Sequence, residues 1–318
     1  MKKRRRRNSG GGGVIIPFLV TVLFSLIIIG GGMLYLLKEI QKETPEEPKT
    51  DVADTYIPGV ESNMNILFII DAGNAADKKD SFVLMRSVPS ENKVTFVPLY
   101  SDTAVKSGEN ISTLNNVFDT DGTVKVNTKQ AVENLFSIKI DKYIRCTVSS
   151  FESLYNMVGK VIYVIPPELE GDYGVGEMLL PANQAATIIS KNNYQGGETE
   201  RVKHLGKIFE KIIDDANGLK LDSVYEDYYT RFLDTAETDF SIVDYKRYES
   251  AVRYMLLSDA MHSEVLTPSG NYNSENQFVM NAVFTKGITK SFTNKMPETI
   301  TSSAPGVTSA QKAGNVAD

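Results

Sequence analysis

The sequence predicts an α/β protein: a three-layer α/β/α sandwich around a mixed sheet, preceded by one transmembrane helix. Three observations carry this. From Asn65 onward, short β-rich runs alternate with stretches of helical spacing, the pattern of a sheet covered by helices. Two of those runs are joined only by Pro89-Ser90-Glu91-Asn92, so an antiparallel hairpin stands among strands that need helical crossovers, which makes the sheet mixed. Residues 14–37 form a run of 24 residues without a charge. As a helix this run is roughly 36 Å long, enough to cross a hydrocarbon core of about 30 Å with some tilt.

The N-terminus carries a topology signal. Six of the 34 Lys and Arg fall in the first seven positions, ahead of the apolar run, whereas Glu39, Glu43, Glu46 and Glu47 follow it. The positive-inside rule makes 1–13 a basic cytoplasmic tail and 14–37 a single-pass anchor in the cell membrane. The bulk of the chain is then extracytoplasmic. A cleaved signal peptide, with Gly30 and Gly32 as its small residues, is the rival reading, but the run exceeds the roughly 7–15-residue core of such peptides. Residues 38–63, with Pro45, Pro48, Pro58 and many charges, read as a linker. Residues 64–288 read as the folded domain, and 289–318, rich in Ser, Thr, Ala and Gly, as a disordered tail.

Within the domain, 65–71 (NILFIID) is a short apolar run closed by an acid, as in a buried central strand. Residues 81–88 and 93–99 are the two arms of the hairpin. Helical spacing over 128–136 groups Ala131, Val132, Leu135 and Phe136. A strand over 143–148 leads to a helix capped by Ser149-Ser150 and ended by Gly159. Another strand, 160–165, stops at Pro166-Pro167. Helices are expected from 184, over 198–216, around 223–233 and over 244–257, with short late strands near Val265 and Phe278. Strand and helix periods place Ile66, Phe68, Val83, Val94, Phe96 and Leu135 in the core. They do the same for Phe151, Val161, Val164, Val202, Leu205 and Phe209.

Composition narrows the function. One cysteine, Cys146, excludes a disulfide framework and a Cys-rich zinc site. His204 and His262 lie far apart with no ligand spacing, which disfavours a His-based metal site or a Ser-His-Asp triad. Beyond the basic N-terminus, 28 of the 34 basic residues face 40 acidic ones, so nucleic acid is not an expected partner. No Gly-rich phosphate loop and no Gly-x-Ser-x-Gly elbow is present. Acids at strand ends are the remaining signal. Asp71 closes the first strand, Asp80 opens the second and Asp102 follows the third. If those strands are neighbours, the three carboxylates gather at one sheet edge, where they would hold Mg²⁺ against phosphates. The alternative is that each is a solvated turn or cap residue.

The order of these segments resembles the LytR-CpsA-Psr family. NILFIID, KDSFVLMRSVPSENKVTFVPLYSDT and LNNVFDTDG follow the family's Gly-x-Asp strand, Ser-Asp-Thr hairpin, Pro-Arg-Asp-Thr and Leu-Asn elements. VENLFSIKIDKYIRCTVSSFESLYNMVGKVIYVIPPEL, LLPANQAATIISKN, TERVKHLGKIF, ETDFSIVDY and VLTPSGNY continue the series to Tyr272. The resemblance implies an extracytoplasmic α/β/α domain that moves a glycopolymer from a polyprenyl-diphosphate carrier to peptidoglycan. In that family the lipid tail lies in an apolar tunnel, arginines grip the diphosphate, and aspartates with Mg²⁺ assist. A diphosphate needs bidentate guanidinium donors or a metal to be held and to leave.

The sequence departs from the pattern where those arginines stand. Ser101 replaces the Arg of Pro-Arg-Asp-Thr, Ser190-Lys191-Asn192 replaces Arg-x-Arg, and Gly196-Gly197-Glu198-Thr199 lacks the Arg that precedes the final helix. The resemblance then leaves Asp80, Asp102 and Arg201 as catalytic candidates and Lys191, Thr103 and Asn115 as substrate-binding candidates. It leaves Asp71, Asp80 and Asp102 as candidate Mg²⁺ ligands. Losing one charge-stabilising donor typically costs ~2.7–4 kcal/mol at a transition state, so several losses imply reduced or no catalysis. Two readings stand. One is a protein that binds a polyprenyl-phosphate-linked glycopolymer, or a wall partner, at the membrane. The other is an active transferase working through Asp80, Asp102, Arg201 and Lys191. In a working site the guanidinium of Arg201 is expected near Asp102 and Asp80, facing the diphosphate; its plainer reading is a surface ion pair with Glu198 or another acid.

Overall fold

The computed structural model describes residues 56–73, 76–120, 126–159, 161–165 and 176–294. The expected cytoplasmic tail, anchor and most of the linker lie outside the described residues. Among the described residues no helix is long and apolar enough to cross a membrane.

The central strand is β1 (Met64–Asp71), buried along almost its whole length on both faces, as its unbroken apolar run requires. It pairs antiparallel with β2 (Ser81–Val88), with Ile70 opposite Ser81 and Met64 opposite Ser87. A 3₁₀ turn at Pro89–Glu91, closed by Asn92 at φ 50°, returns the chain as β3 (Lys93–Leu99), antiparallel to β2. Asparagine tolerates that left-handed backbone better than most residues. On the other side of β1 lies β6 (Lys142–Thr147) in parallel. The parallel β10 (His262–Val265) and the antiparallel, two-residue β9 (Glu237–Thr238) complete the six-stranded order β10-β3-β2-β1-β6-β9. This is the mixed sheet that the hairpin and crossovers imply.

Period-two alternation sorts the strand residues between two helical layers. Leu67, Ile69, Phe82, Leu84, Val97 and Leu99 face α1 (Leu114–Thr120), α2 (Val126–Phe136) and the C-terminal helix, Ala282–Phe292. Phe68, Ile70, Val83, Val94 and Phe96 face α3 (Val148–Val158), α4 (Ala182–Ser190) and α5 (Gly197–Asp214). The same side is extended by α6 (Gly218–Ser223), α7 (Tyr225–Thr235) and α8 (Ile242–Leu256); the C-terminal helix is α9. Helix α5 crosses the sheet closely at Gly206, where a Cβ would stand 2.6 Å from Val265 and 3.0 Å from Pro98.

Among the described residues, three two-stranded ribbons lie outside the main sheet. They are β4 (Ala104–Ser107) with β5 (Asn110–Thr113), β7 (Val161–Val164) with β8 (Glu177–Leu180), and β11 (Gly270–Tyr272) with β12 (Phe278–Met280).

Several expectations need correction. Val164 is 61% exposed: β7 joins a two-stranded ribbon rather than the sheet, so only Val161 and Tyr163 turn inward. Phe68 and Leu135 are half-buried. The cap of α3 is Thr147, whose hydroxyl accepts the Ser150 N–H at 3.2 Å. The folded part does not stop at 288. Helix α9 continues through Phe292, which is 1% exposed in the core. The Phe292 carbonyl accepts from the buried Arg86 at 2.9 Å and from Asn65 at 2.9 Å. Nor is the chain before 64 all linker, because Tyr56 bonds Ser62 and its ring packs edge-on against Tyr254. In both cases isolated aromatic residues without a neighbouring period anchor the ends. Phe292→Ala should lower stability by about 3–5 kcal/mol, the usual cost of truncating a core aromatic. Chemical denaturation measures this, and a neutral result would return the segment to the tail.

Candidate functional site

The register brings the ends of β1 and β3 and the start of β2 to one edge of the sheet. Ile70 lies opposite Ser81, and Phe82 opposite Leu99. The end of α4 and the first turns of α5 close over that edge.

Arg201 is the centre of the arrangement and has no exposed surface. Its Nε donates to Glu198 Oε2 at 2.8 Å and its Nη2 to Glu198 Oε1, a bidentate pair one helical turn apart. Nη1 donates to Ser81 Oγ at 2.9 Å and to the Ile189 carbonyl at 2.8 Å. Four of the five guanidinium N–H donors are thus engaged by the protein itself. Glu198 also accepts the N–H and hydroxyl of Ser101, at 3.2 and 3.0 Å. Burial pushes the Glu198 carboxyl up, but hydrogen bonding and charge from Arg201, the charge of Lys79 and the Ser101 N–H outweigh it. They hold the group below the usual carboxylate range. Lys79 Nζ lies 3.6 Å from Glu198 and 3.0 Å from Asp102. The charges therefore alternate Arg201, Glu198, Lys79, Asp102, from a sealed end to one about a third exposed.

The expected residues fall at this edge without converging as expected. Arg201 pairs with Glu198, not with Asp80 and Asp102, and the pair is buried rather than on the surface. Asp80 is buried, and its Oδ1 accepts the Ala72 N–H at 2.7 Å. Asp71 turns to Arg145 on β6 and accepts the Gly73 N–H at 2.8 Å. Thr103 is fully buried and donates its hydroxyl to the Tyr100 carbonyl at 2.6 Å, so it closes a turn instead of facing a ligand. The Asn115 N–H donates to the Ser101 carbonyl at 2.9 Å. Lys191 follows α4 and makes a backbone bridge with Lys78. Asp71, Asp80 and Asp102 thus serve a cation, a loop amide and a lysine in turn. Among the described residues no three His, Cys, Asp or Glu side chains gather into a possible metal site. As placed here, Asp71, Asp80 and Asp102 do not form one shared donor set for the expected Mg²⁺. Lys79 is the residue that sequence reasoning missed. Its signal was its place directly before Asp80, in a segment where only the acid drew notice.

Below this edge lies a cavity of about 400 Å³ between the sheet and α3, α5, α7 and α8. Ile66, Phe68 and Ile70 line it from β1, Phe151 and Phe209 from the helices, and Tyr229 and Phe232 from α7. The lining is almost wholly apolar. Burial, reinforced by the charge of Asp71, pushes the lining thiol of Cys146 up to about 12 and keeps it neutral. The cavity ends at Ile70, whose partner across the ladder is Ser81, one of the groups holding Arg201. Asp80, Asp102 and Arg201 do not line it.

The family model described as LytR_cpsA_psr matches residues 35–294. No curated protein sequence matches the chain. A structure described as a transcription regulator from Eubacterium siraeum is similar at TM-score 0.66 and 17% identity, covering 80% of this chain and all of that one. TagV of B. subtilis is similar at TM-score 0.56 and 20% identity, covering 72% and 95%. TagT bound to LI-WTA is similar at TM-score 0.58 and 17% identity, covering 76% and 94%. At these identities the structural likeness is one of fold.

Glu198 gives the site a pH signature. Its folded pKa is lowered, so its contribution to stability is complete above the unfolded carboxyl value of about 4.3 and is lost as pH falls from there through the folded value. Glu198→Ala should cost about 3–5 kcal/mol near neutral pH, because it strands a buried guanidinium. It should also flatten the acid limb of the melting temperature against pH. An unchanged acid limb would mean that Glu198 is not the titrating partner.

Proposed function

Since the chain belongs to the LytR_cpsA_psr family, we propose that it is a membrane-anchored, extracytoplasmic protein of the cell envelope. It binds a polyprenyl-phosphate-linked glycopolymer, or a wall partner, with little or no transfer chemistry. Family membership fits a glycopolymer-related role in the envelope. That a relative of the same fold, TagT, is bound to LI-WTA supports a glycopolymer as the ligand class.

The observation that carries the reduced-catalysis reading is the Arg201–Glu198 pair. A phosphate is gripped by presenting it with a bidentate guanidinium edge. Here that edge is occupied by the chain's own carboxylate, and the pair is walled in by Ser81, Ser101 and Ile189. Releasing it would unpair two buried charges, a cost of several kcal/mol. The apolar cavity, in contrast, is intact and within the usual size of ligand pockets, roughly 300–1,000 Å³. An isoprenoid tail is the chemistry that suits it, since a lipid tail loses nothing by leaving water and asks for no hydrogen bonds. Binding and catalysis are thereby separable in this chain: the part that holds a tail persists, and the part that would polarise a diphosphate is occupied.

The alternative, an active transferase, draws support from the Lys79–Asp102 pair, which remains partly open to solvent. There Lys79 would face the leaving phosphate as a point charge and Asp102 would take the proton of the attacking hydroxyl.

Full-length protein in vesicles, given a polyprenyl-diphosphate-linked saccharide, should retain the lipid and release no saccharide at any Mg²⁺ concentration. Ala251→Trp, which fills the cavity at a buried lining position, should weaken retention about tenfold or more, a loss of roughly 1.4 kcal/mol. Saccharide release that disappears in Asp102→Asn would install the transferase reading instead.

A further inference from the structure

Among the described residues, Tyr272 is the one aromatic side chain with close to half its surface, 45%, in solvent; the other phenylalanines and tyrosines are buried or half-buried. It lies on β11, opposite Phe278 of β12, and this ribbon is fastened to the charged edge. The Phe278 N–H donates to the Asp102 carbonyl at 2.8 Å, and Phe278 forms a backbone bridge with Thr103. Tyr100, beside Ser101, stacks on Phe278 with ring centroids 3.8 Å apart and 12° between the planes. Val202, beside Arg201, joins the same buried cluster. Tyr272 stands edge-on to both rings, 6.4 Å from Tyr100 at 80° and 5.5 Å from Phe278 at 68°. These contacts hold its ring in place. Burial raises the Tyr272 hydroxyl above its ordinary range, and the charges of Asp102 and Glu198 raise it further. It therefore stays neutral next to those carboxylates, able both to donate and to accept. A lid over Tyr100 and Phe278 calls only for apolar bulk. It does not call for a hydroxyl and an open ring beside Asp102 and Lys79.

We propose that Tyr272, Asp102 and Lys79 form a saccharide subsite at the charged edge, with the Tyr272 ring against one face of a sugar unit and the two charged groups on its hydroxyls. The inference rests on the glycopolymer reading above and assigns to it the residues that touch the sugar. A sugar ring has two kinds of surface. Its C–H bonds, slightly positive, are gathered on its faces, and its hydroxyls stand around the rim. The faces suit the negative face of an aromatic ring, and the rim needs acceptors and donors. Both are present here. Asp102 receives Lys79 on Oδ2 at 3.0 Å, which leaves Oδ1 to accept a hydroxyl. The Lys79 ammonium carries three donors and is spread between Asp102 and Glu198, at 3.0 and 3.6 Å. Both side chains keep about a quarter to a third of their surface in water. A protein partner would ask for a broad apolar patch. The exposed Val279 does not extend one, because it alternates with Phe278 and so turns to the ribbon's other face.

The test compares two probes that differ only in the sugar. Full-length protein in vesicles would be given polyprenyl diphosphate, or the same lipid carrying N-acetylglucosamine, and retention of each measured. The wild-type protein should hold the sugar-bearing lipid about threefold to tenfold more tightly, the size of one aromatic contact. Tyr272→Ala should remove that difference and hold the bare lipid as the wild type does. Tyr272→Phe, which keeps the ring, should keep most of the difference. The chain contains no tryptophan, so Tyr272→Trp reports its own surroundings, and its emission should change with the sugar-bearing lipid and not with the bare one. Equal loss of both lipids in Tyr272→Ala would make the ring a packing element and overturn the subsite. A sugar preference that survives Tyr272→Ala, or no preference in the wild type, would overturn it too and leave retention of the carrier standing. If neither lipid is retained, the carrier reading falls, and the subsite with it.

Discussion

A guanidinium with no surface in water must be neutralised within the fold, and around Arg201 much of the charged edge is organised to do so. Glu198 accepts from Nε and Nη2, Ser81 and the Ile189 carbonyl of α4 accept from Nη1, and Ser101 braces the carboxylate from the far side. Those contacts join β2, the segment after β3, the end of α4 and the start of α5. One ion pair therefore fixes where two helices meet the sheet. Because breaking such a pair is costly, the pair holds this edge of the sheet together.

The two helical layers answer to different demands. Beneath α1, α2 and α9 the sheet is closely filled: Leu67, Phe82, Leu84, Phe136 and Phe292 have almost no exposed surface. On the other face the strands alternate just as well, yet the helices stand back and leave a volume lined by Phe, Tyr, Ile and Met. Stability alone disfavours such a void, since apolar linings lose contacts on the side that faces nothing. Aromatic edges carry the span, as in the contacts of Phe209 with Phe68, Phe96 and Phe151. The filled layer supplies the stability that tolerates the hollow one. The filled and the hollow layers thus lie on opposite faces of a single sheet.

The charged edge and the hollow touch only through the backbone. Ile70 belongs to the cavity and its partner Ser81 belongs to the Arg201 network.

Much of this was legible in the sequence because it is local. The hairpin arms at 81–88 and 93–99, the helices over 198–216 and 244–257 and the mixed sheet follow from short-range periodicity and turn chemistry, and the family is carried by an ordered series of such segments. The contrast between charged and apolar residues at the N-terminus is local too. What only the tertiary structure decided is pairing. Period two cannot say whether a strand at 161–164 joins the sheet or a separate ribbon, so the surroundings of Val164 were not readable. Lone aromatics such as Phe292 and Tyr56 show no period until a distant surface accepts them. Above all, three acids at strand ends look alike in sequence. Which one meets Arg145, which a loop amide and which Lys79 is settled by contacts between residues 8 to 74 positions apart. A carboxylate's role depends on the charge beside it, and the sequence does not record which charge that is.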